Sequence, residues 1–238
     1  MELDGKVVVV TGASSGIGAA TARAAGRAGA RLVLAARRRE RLESLAEEVG
    51  GDALVVPTDM RDLGQVRRLI EVAEEERGGV DVLVNNAGQG LHVPVEDIAV
   101  EDLAAVVELN VYGVLVAMQA VIPLMRRAGG GCIVNVSSGT TRMPAPVGAA
   151  GYAATKAALN MLSRAAREEL AGDGIVVSTV YPFITATEFH DTLRAGSGPS
   201  GSRPGLEPDP PDKVAQVILE LIRTGEPEAV LLPERMRG

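Results

Sequence analysis

Aromatic residues are scarce in this chain of 238 residues, which has two phenylalanines, three tyrosines and no tryptophan. Cysteine is rarer still. The single Cys132 cannot form an internal disulfide, and its place in a strand-like run predicts a buried structural thiol. The net charge of -7 argues against nucleic acid or an anionic membrane as a partner. The longest apolar runs are shorter than a membrane-spanning helix, so we do not expect this protein to be bound to a membrane.

The remaining composition is that of one globular domain. Hydrophobic residues make up 46% of the chain, enough for a large core, and no stretch has the composition of a linker between two cores. We therefore expect a single domain over residues 1–238. No targeting signal precedes Val7, which favours a cytoplasmic protein, and no metal site is expected.

A repeated alternation of strand and helix patterns predicts the fold class. The four consecutive valines from Val7 leave the first strand without a polar face. We therefore expect this strand to be covered on both faces. Helices separate the strands, which predicts an α/β fold with a doubly wound parallel sheet and ligands at the carboxyl ends of its strands. Later strands are predicted at 32–36, 53–57, 80–84, 132–136, 175–180 and 229–232. Helices are predicted at 19–28, 38–49, 62–77 with Asp62 as N-cap, 100–127, 151–170 and 212–223.

A glycine-rich turn joins the first strand to the first helix. Gly12, Gly16 and Gly18 allow a tight turn and a close approach to a diphosphate, and the following helix directs its N-terminal N–H groups at that anion. The spacing G-x-x-x-G-x-G differs from the more widespread G-x-G-x-x-G. Glycines in a purely structural turn are the alternative for this stretch taken alone.

The segment Thr-Gly-Ala-Ser-Ser-Gly-Ile-Gly at 11–18 resembles the cofactor loop of the short-chain dehydrogenase/reductase family, in its compact single-domain form. Four further stretches match that family in order, up to about Phe189. The resemblance implies a Rossmann-like fold with a seven-stranded parallel sheet and an oxidoreductase. It also implies that the loop residues Gly12, Ser14, Ser15, Gly16, Ile17 and Gly18 bind the cofactor.

The end of the second strand predicts which cofactor binds. Dinucleotide sites usually hold the adenosine ribose with an acidic residue there, whereas an arginine accommodates a 2′-phosphate. This chain has Arg37 and Arg38 and no carboxylate before Glu40, so NADP(H) is favoured over NAD(H), with Arg37 as main ligand and Arg38 as second choice. A solvated helix start is the alternative. By resemblance Asp59, beside Met60, contacts the adenine; helix capping is its alternative role.

Tyr152 and Lys156 are the candidate catalytic pair. At positions i and i+4 they share one helix face, so the ammonium, together with an oxidised nicotinamide, is expected to lower the pKa of the phenol toward the working pH. By resemblance Ser138 is the catalytic serine that binds the substrate oxygen, with Ser137 as fallback. The gap from Ser138 to Tyr152 is one residue longer than the family's commonest spacing, a change that a loop tolerates.

Two asparagine-containing stretches complete the predicted site. Asn110 lies mid-helix among apolar residues, where it is a poor helix former with a specific polar role. By resemblance it belongs to the catalytic tetrad and holds a water that relays protons to the lysine; a satisfied buried amide is the alternative. The tetrapeptide at 85–88 matches the family's turn that stabilises the sheet and lines the cofactor through Asn86, Ala87 and Gly88.

The segment after the sixth strand resembles the one that passes over the nicotinamide. Pro182-Phe183 stands where the family usually has Pro-Gly, which leaves the register open by one residue. Contacts with the cofactor are assigned to Pro182, Ile184, Thr185 and Thr187. Residues 190–211, with a Gly, Ser and Pro-rich part from Arg194 to Pro211, are interpreted as a substrate lid, or else as a surface insertion. His92 and His190 are read as surface or packing residues.

These observations predict an NADP(H)-dependent oxidoreductase that interconverts a carbonyl and a secondary alcohol, with Tyr152 as acid and base. A non-catalytic NADP(H)-sensing regulatory or scaffold protein is the alternative. The clustered aromatics predict a neutral, apolar small-molecule substrate, with Met143, Phe189 and Leu193 as walls of its pocket. The resemblance further implies a homodimer or homotetramer that packs through the two long helices.

Overall fold

A seven-stranded parallel sheet forms the centre of the molecule, in the order β3-β2-β1-β4-β5-β6-β7. The computed structural model describes residues 1–50, 52–143, 145–197 and 207–231. The strands are β1 Val7–Thr11, β2 Arg31–Ala36, β3 Leu54–Pro57, β4 Val82–Asn85, β5 Gly131–Val136, β6 Ile175–Tyr181 and β7 Glu228–Val230. The helices are α1 Gly16–Arg27, α2 Arg39–Glu48, α3 Leu63–Arg77, α4 Val100–Val107, α5 Gly113–Ala128, α6 Ala150–Leu170 and α7 Pro211–Thr224.

The expected doubly wound α/β fold is confirmed, and β1 shows why it forms. Val8 and Val10 pack into the hydrophobic layer that includes α1 and α7, whereas Val7 and Val9 face the layer that includes α3 and α5. All four side chains are buried. Because no face of the strand is exposed to water, polar chemistry is confined to the ends of the sheet.

The order of the strands reverses next to β1. The chain builds β2 and β3 on one side of β1, then crosses to place β4 on the other side. At such a switch point the loops that follow the two central strands separate and leave a crevice at the carboxyl edge. The glycine turn after β1 and the Asn-Asn-Ala-Gly turn after β4 both begin at this crevice.

The predicted helix over 100–127 is not one regular helix. Residues Glu108–Tyr112 form a turn of π-helix between α4 and α5, and Asn110 lies in the middle of it. Such turns insert an extra residue and recur at functional sites. The combined stretch Val100–Ala128 has the length and composition of a membrane span, contrary to the expectation from short apolar runs, although half of its most apolar window is buried inside the fold.

The last predicted strand is shifted by one residue. It was expected at 229–232 and is observed at Glu228–Val230, paired with β6. Leu231 follows it as a buried residue, and position 232 lies outside the described residues. Asp62 is the N-cap of α3 as predicted, because its carboxylate accepts hydrogen bonds from the amides of Gly64 and Gln65 at 2.9 and 3.1 Å.

Candidate active site

A cavity of about 1460 Å³ opens at the carboxyl edge of the sheet. It is larger than the roughly 300–1,000 Å³ of an ordinary small-ligand pocket and has room for a large ligand beside a small one. Every residue predicted to be catalytic or to bind the cofactor lines it except Gly18 and Asn110. Those two lie behind its wall, where Gly18 packs on the glycine turn and Asn110 bonds the turn after β4.

The glycine turn is shaped for close approach by a ligand. Gly12 and Gly16 have φ values of 66° and 53°, where a residue with a Cβ is strained. A Cβ on Gly18 would lie 2.3 Å from the carbonyl oxygen of Gly12, so only glycine lets α1 pack here. Ser15, which precedes α1, makes no side-chain hydrogen bond to the helix. The first N–H groups of α1 are therefore available to an anion, as a diphosphate requires.

Arg38 is held by its neighbours, whereas Arg37 is not. The guanidinium of Arg38 donates to Ser14 Oγ at 3.1 Å and Ser15 Oγ at 2.8 Å, and it pairs with the Glu188 carboxylate at 2.9 Å. Arg41 pairs with the other oxygen of that carboxylate at 2.6 Å. These two arginines lower the pKa of Glu188, so it is ionised at neutral pH. Arg37 is exposed, lines the cavity and has no carboxylate partner within the described ranges.

Asp59 lines the same end of the cavity, but its carboxylate is engaged. Arg61 donates to it through its backbone N at 3.0 Å and through its guanidinium at 2.9 Å, and these bonds lower the pKa of Asp59. The helix-capping role that was the alternative for Asp59 is filled by Asp62. Asp59 is thus an ionised group at the edge of the cavity.

The turn after β4 is bonded to the turn after β1. Asn86 donates from Nδ2 to the carbonyl oxygens of Thr11 and Gly12 at 2.9 and 3.2 Å. Thr11 Oγ1 accepts in return from the amides of Asn86 and Ala87 at 3.0 and 3.1 Å. The backbone hydrogen bonds between β1 and β4 end where the two strands diverge, and the side chain of Asn86 takes their place. It thereby joins the two turns that line the crevice.

Tyr152 and Lys156 lie on the buried face of α6, as their spacing predicts. Both are almost fully buried, at 8% and 3% exposure, and the Lys156 ammonium lies 5.9 Å from the centre of the Tyr152 ring. Lys156 Nζ donates to the carbonyl oxygen of Val136 at 2.8 Å, which ties α6 to the end of β5. The pair thus reaches the cavity from a helix anchored on the sheet.

Ser138 rather than Ser137 is the serine next to the phenol. A hydrogen bond with Ser138 acts on the pKa of Tyr152. Ser138 Oγ also accepts from the backbone N and Oγ1 of Thr140 at 3.2 and 3.0 Å. Ser137 Oγ instead donates to Asn160 Oδ1 on α6 at 2.5 Å. The longer loop before α6 leaves Ser138 close to Tyr152.

The predicted lowering of the tyrosine pKa involves the bound cofactor as well as Lys156, and in the protein alone the pKa of Tyr152 is raised. Burial raises the pKa of Tyr152 to about 12, and the bond with Ser138 only partly opposes it. Burial also lowers the pKa of Lys156 to about 8. Desolvation disfavours both charged forms, and it outweighs the attraction that the i, i+4 spacing suggested. At neutral pH the phenol is protonated and the ammonium largely charged.

Asn110 is fully satisfied in its π-helical turn. Its Oδ1 accepts from the amide of Gln89, and its Nδ2 donates to the carbonyl oxygen of Gln89 and to Thr155 Oγ1, each at 3.0 Å. Thr155 Oγ1 in turn donates to the carbonyl oxygen of Tyr152 at 2.8 Å. Asn110 therefore links the turn after β4 to the first turn of α6.

The segment after β6 covers the cavity. A Cβ on Gly16 would lie 2.8 Å from the Thr187 side chain, so Thr187 rests against the glycine turn. The carbonyl oxygen of Pro182 accepts from the amide of Gly139 at 2.7 Å, and that of Ile184 accepts from Asp209 at 2.8 Å. Thr185 Oγ1 is buried with no hydrogen-bond partner within the described ranges. A buried hydroxyl without a partner is a vacant position for a polar ligand group.

Comparisons with known proteins agree with this geometry. The family model of the short chain dehydrogenases matches residues 6–198. The chain belongs to that family. It is 34% identical over 218 residues to an uncharacterized oxidoreductase of Staphylococcus aureus strain MW2, covering 91% of this chain and 90% of that protein. A similar relative from Staphylococcus haemolyticus is 34% identical over 209 residues, with 87% and 88% coverage.

Two solved structures of the family superpose closely. A metagenomic short-chain oxidoreductase in complex with NADP is 33% identical, with a TM-score of 0.81 over 98% of this chain and 99% of that one. A family member from Burkholderia phymatum in complex with NAD is 26% identical, with a TM-score of 0.87 over 97% and 90%. This protein is accordingly an oxidoreductase of the short-chain dehydrogenase family.

The ends of the predicted lid are anchored. The amides of His92 and Arg194 donate to the carbonyl oxygens of Ala195 and Gly90 at 3.0 and 2.8 Å. Asp209 pairs with the segment after β6. Residues 198–206, the middle of the lid, lie outside the described residues. Leu193, expected as a pocket wall, instead packs on Gly90, and the cavity wall includes Met143 and Phe189.

Sequence reasoning missed several residues that the fold brings to the site. His92 and His190 line the cavity beside Tyr152 and are not merely surface residues. Glu188 reaches Arg38 across 150 positions of the chain. Thr155 could have been predicted from the sequence, because it lies three residues after Tyr152 on the same helix. The others carry no local pattern, since their partners are distant in sequence.

The buried ammonium of Lys156 makes a prediction about stability. Its pKa is near 8 in the folded protein and higher in the unfolded chain, so the unfolded chain binds the proton more tightly. The destabilisation caused by the buried ammonium is fully present below pH 8. It disappears as the pH rises above the pKa of this lysine in the unfolded chain. We expect Lys156→Met to raise the free energy of unfolding at pH 7 by about 2 kcal/mol, and by less above pH 10.

Urea denaturation of the cofactor-free protein at both pH values measures this difference. Lys213→Met is the control, because Lys213 is an exposed residue paired with Asp209. Its removal should change stability by less than about 1 kcal/mol at either pH. A Lys156→Met protein that is less stable than the parent at pH 7 would contradict the burial penalty.

Proposed function

We propose that this protein interconverts a carbonyl and a secondary alcohol with NADP(H), with Tyr152 as the acid and base. The observation that carries the proposal is the meeting of Ser138, Tyr152 and Lys156 at one end of a cavity whose other end is the glycine turn. A dinucleotide laid along this cavity places its reactive ring next to the phenol.

The cavity fits a nicotinamide dinucleotide at three points. The uncapped N-terminus of α1 fits the diphosphate, and Arg37 fits a ribose phosphate. The partnerless Thr185 hydroxyl fits the carboxamide. The backbone of Ile184 or Thr185 is the alternative partner of the carboxamide, and the carbonyl oxygen of Ile184 already accepts one hydrogen bond, from the amide of Asp209. When bound, the cofactor donates or accepts a hydride at the nicotinamide C4.

The protein's own groups move the proton and hold the substrate. In carbonyl reduction Tyr152 Oη donates its proton to the substrate oxygen as charge develops there, and burial keeps the phenol protonated for this step. Ser138 Oγ orients and polarises that oxygen. In alcohol oxidation the phenol must lose its proton, and the charged Lys156 favours the phenolate. Asn110 and Thr155 fix the position of α6. The water relay to Lys156 through Asn110 stays a prediction, because both amide hydrogens of its side chain are already donated to Gln89 and Thr155.

The preference for NADP(H) rests on the charges around Arg37. Arg37 lines the cavity without an ion pair to a described carboxylate, and the residue that follows it is also cationic. Glu188 opposes the 2′-phosphate, because it is an anion bound to Arg38 and Arg41. The phosphate therefore binds to Arg37 and competes with Glu188 for Arg38.

We expect Arg37→Ala to weaken NADPH binding by about ten- to a hundredfold, because a charge-assisted hydrogen bond contributes roughly 1.5–3 kcal/mol. NADH binding should hardly change. Titration of the cofactor fluorescence measures both, since the chain has no tryptophan to interfere. Glu188→Gln is the matched variant and should tighten NADPH but not NADH. An equal loss for both cofactors in Arg37→Ala would refute the assignment.

A non-catalytic NADP(H) sensor is the alternative function. It would need the glycine turn and Arg37 but no acid beside a buried lysine. The burial of Tyr152 and Lys156 together, at a cost in desolvation for both charged forms, favours catalysis.

Tyr152→Phe separates the two functions. The variant keeps the ring and loses the transferable proton, so we expect NADPH binding to persist while turnover falls by at least about a thousandfold. Stopped-flow binding and steady-state oxidation of NADPH measure the two quantities. Turnover that survives the substitution would show that another group is the acid.

The substrate is proposed to be a neutral molecule with an apolar body. Met143, Pro146, Val147 and Phe189 contribute apolar surface to the cavity, and Phe189 lies 5.4 Å from Tyr152 between ring centres. The lid over 190–211 is proposed to close this end of the cavity.

We expect kcat/KM to rise along a series of methyl ketones by about 0.8 kcal/mol for each added methylene, until the pocket is full. NADPH oxidation with ketones of three to ten carbons measures the series. Short carboxylates and phosphorylated sugars serve as comparison substrates. A flat series, or a preference for a charged compound, would show that the pocket is not apolar.

A homodimer or homotetramer is proposed on the exposed surface of the long helices. Ala154, Ala157, Ala158 and Met161 lie on the exposed side of α6, and Tyr112 is half exposed at the start of α5. Small side chains permit close approach of a second copy, and sedimentation velocity measures the resulting mass.

A further inference from the structure

The only two histidines of the chain meet in the cavity. The rings of His92 and His190 lie 5.7 Å apart between centres, and His92 lies 6.3 Å from the Tyr152 ring. Phe189 packs against both Tyr152 and His190, at 5.4 and 5.6 Å. The catalytic phenol is therefore part of a four-ring cluster, of which two members carry hydrogen-bonding nitrogens.

Backbone hydrogen bonds hold His92 in place. The amide of His92 donates to the carbonyl oxygen of Ala195, and a Cβ on Gly196 would collide with the carbonyl oxygen of His92. The imidazole itself bonds the backbone of Ser197. Gln89 Nε2 also donates to the carbonyl oxygen of Thr192 at 2.7 Å. The loop after β4 and the segment around residue 195 thus form one unit that fixes this ring.

His190 has an unsatisfied polar atom. Its Nδ1 is buried and has no hydrogen-bond partner in the described part of the chain. The ring belongs to the short helix Glu188–Thr192, whose first turn is capped by Thr187 Oγ1 at 3.3 Å from the amide of Phe189. A buried nitrogen in a fixed position, without a partner, costs stability unless a ligand or water bonds it.

We propose that His190, beside the ring of His92, binds a second oxygen atom of the substrate, so that the substrate is an apolar ketone with a neutral oxygen acceptor near its carbonyl. The inference rests on the proposed carbonyl reduction at Tyr152. The rings are close enough for one small molecule to reach the phenol and an imidazole together. Burial and the neighbouring His190 lower the pKa of His92, so His92 is neutral at physiological pH and suits a neutral oxygen better than a carboxylate.

The test compares two ketones of equal chain length. Ethyl 3-oxobutanoate carries the second oxygen, whereas 2-heptanone has methylenes in its place. Because the ester is the more electrophilic ketone with any enzyme, the diagnostic quantity is the change in the ratio of their kcat/KM values. In the double variant His92→Phe, His190→Phe we expect this ratio to fall about tenfold, the effect of one lost hydrogen bond.

Two single variants serve as controls. His190→Gln keeps a hydrogen-bonding group and should retain most of the ratio. Phe189→Leu changes the same cluster without removing a polar atom and should change both substrates alike. An unchanged ratio in the double variant would overturn the proposal, as would a preference for the 3-oxobutanoate anion over its ethyl ester.

A binding measurement distinguishes this inference from the proposed function. Two histidines give two sets of imidazole ¹⁵N signals, which the single variants assign. In the wild-type protein with NADP⁺, where no hydride is available, the ester should shift the His190 signals and 2-heptanone should not. If these signals move while no ketone is ever reduced, carbonyl reduction fails and the binding site stands. If ketones are reduced and the signals stay in place, the histidine site fails.

Discussion

Complete burial of β1 on both faces is the constraint on which the rest of the molecule depends. A strand covered by helices on either side has no room for polar side chains along its length. The chain must therefore place them where strands end. Thr11, at the end of β1, and Asn86, just past the end of β4, bond each other's backbone there, and this pair holds the crevice between the two strands. The glycine turn, the arginines and the catalytic helix are all positioned relative to that edge.

The same burial sets the electrostatics of Tyr152 and Lys156, the proposed catalytic pair. Tyr152 and Lys156 both lie where charge is disfavoured, so their pKa values move apart, to about 12 for the phenol and about 8 for the ammonium. Each neutral form is favoured by desolvation, and each charged form needs a partner in the cavity. A group whose protonation depends on what else occupies the site is suited to transfer a proton only when cofactor and substrate are present. The stability lost in burying Lys156 is part of the same arrangement.

Much of the fold was predictable because its signals are local. Runs of β-branched residues, amphipathic spacing and the cap at Asp62 placed the ends of the strands and helices within three residues, apart from the break in the helix predicted at 100–127, and the glycines identified the turn at the carboxyl edge. Ser138 was separable from Ser137 only by resemblance until the structure showed that Ser137 bonds Asn160. The raised pKa of Tyr152 in the protein alone could not be predicted, since spacing reveals a neighbouring charge but not the depth of burial.

Other parts depend on contacts between distant residues. Glu188 and Arg38 are 150 positions apart, and nothing near either of them indicates the ion pair. The two histidines are separated by almost a hundred residues and meet because backbone bonds join the loop after β4 to the segment around residue 195. The broken helix was missed for a different reason. The apolar pattern continues on both sides of Asn110 and so predicts a regular α-helix. The observed backbone instead has one extra residue in the π-helical turn at this position.

That extra residue has a consequence for the packing on either side of it. A π-helical turn accommodates one more residue than an α-helical turn, so deleting one residue from Glu108–Tyr112 would close the turn to regular α-helix and leave α4 and α5 nearly in phase. Val106 would stay on the buried face of α4, whereas the amide of Asn110 would lose the position from which it bonds Gln89 and Thr155. The extra residue therefore serves the polar link to α6 and not the apolar packing of the helix that contains it.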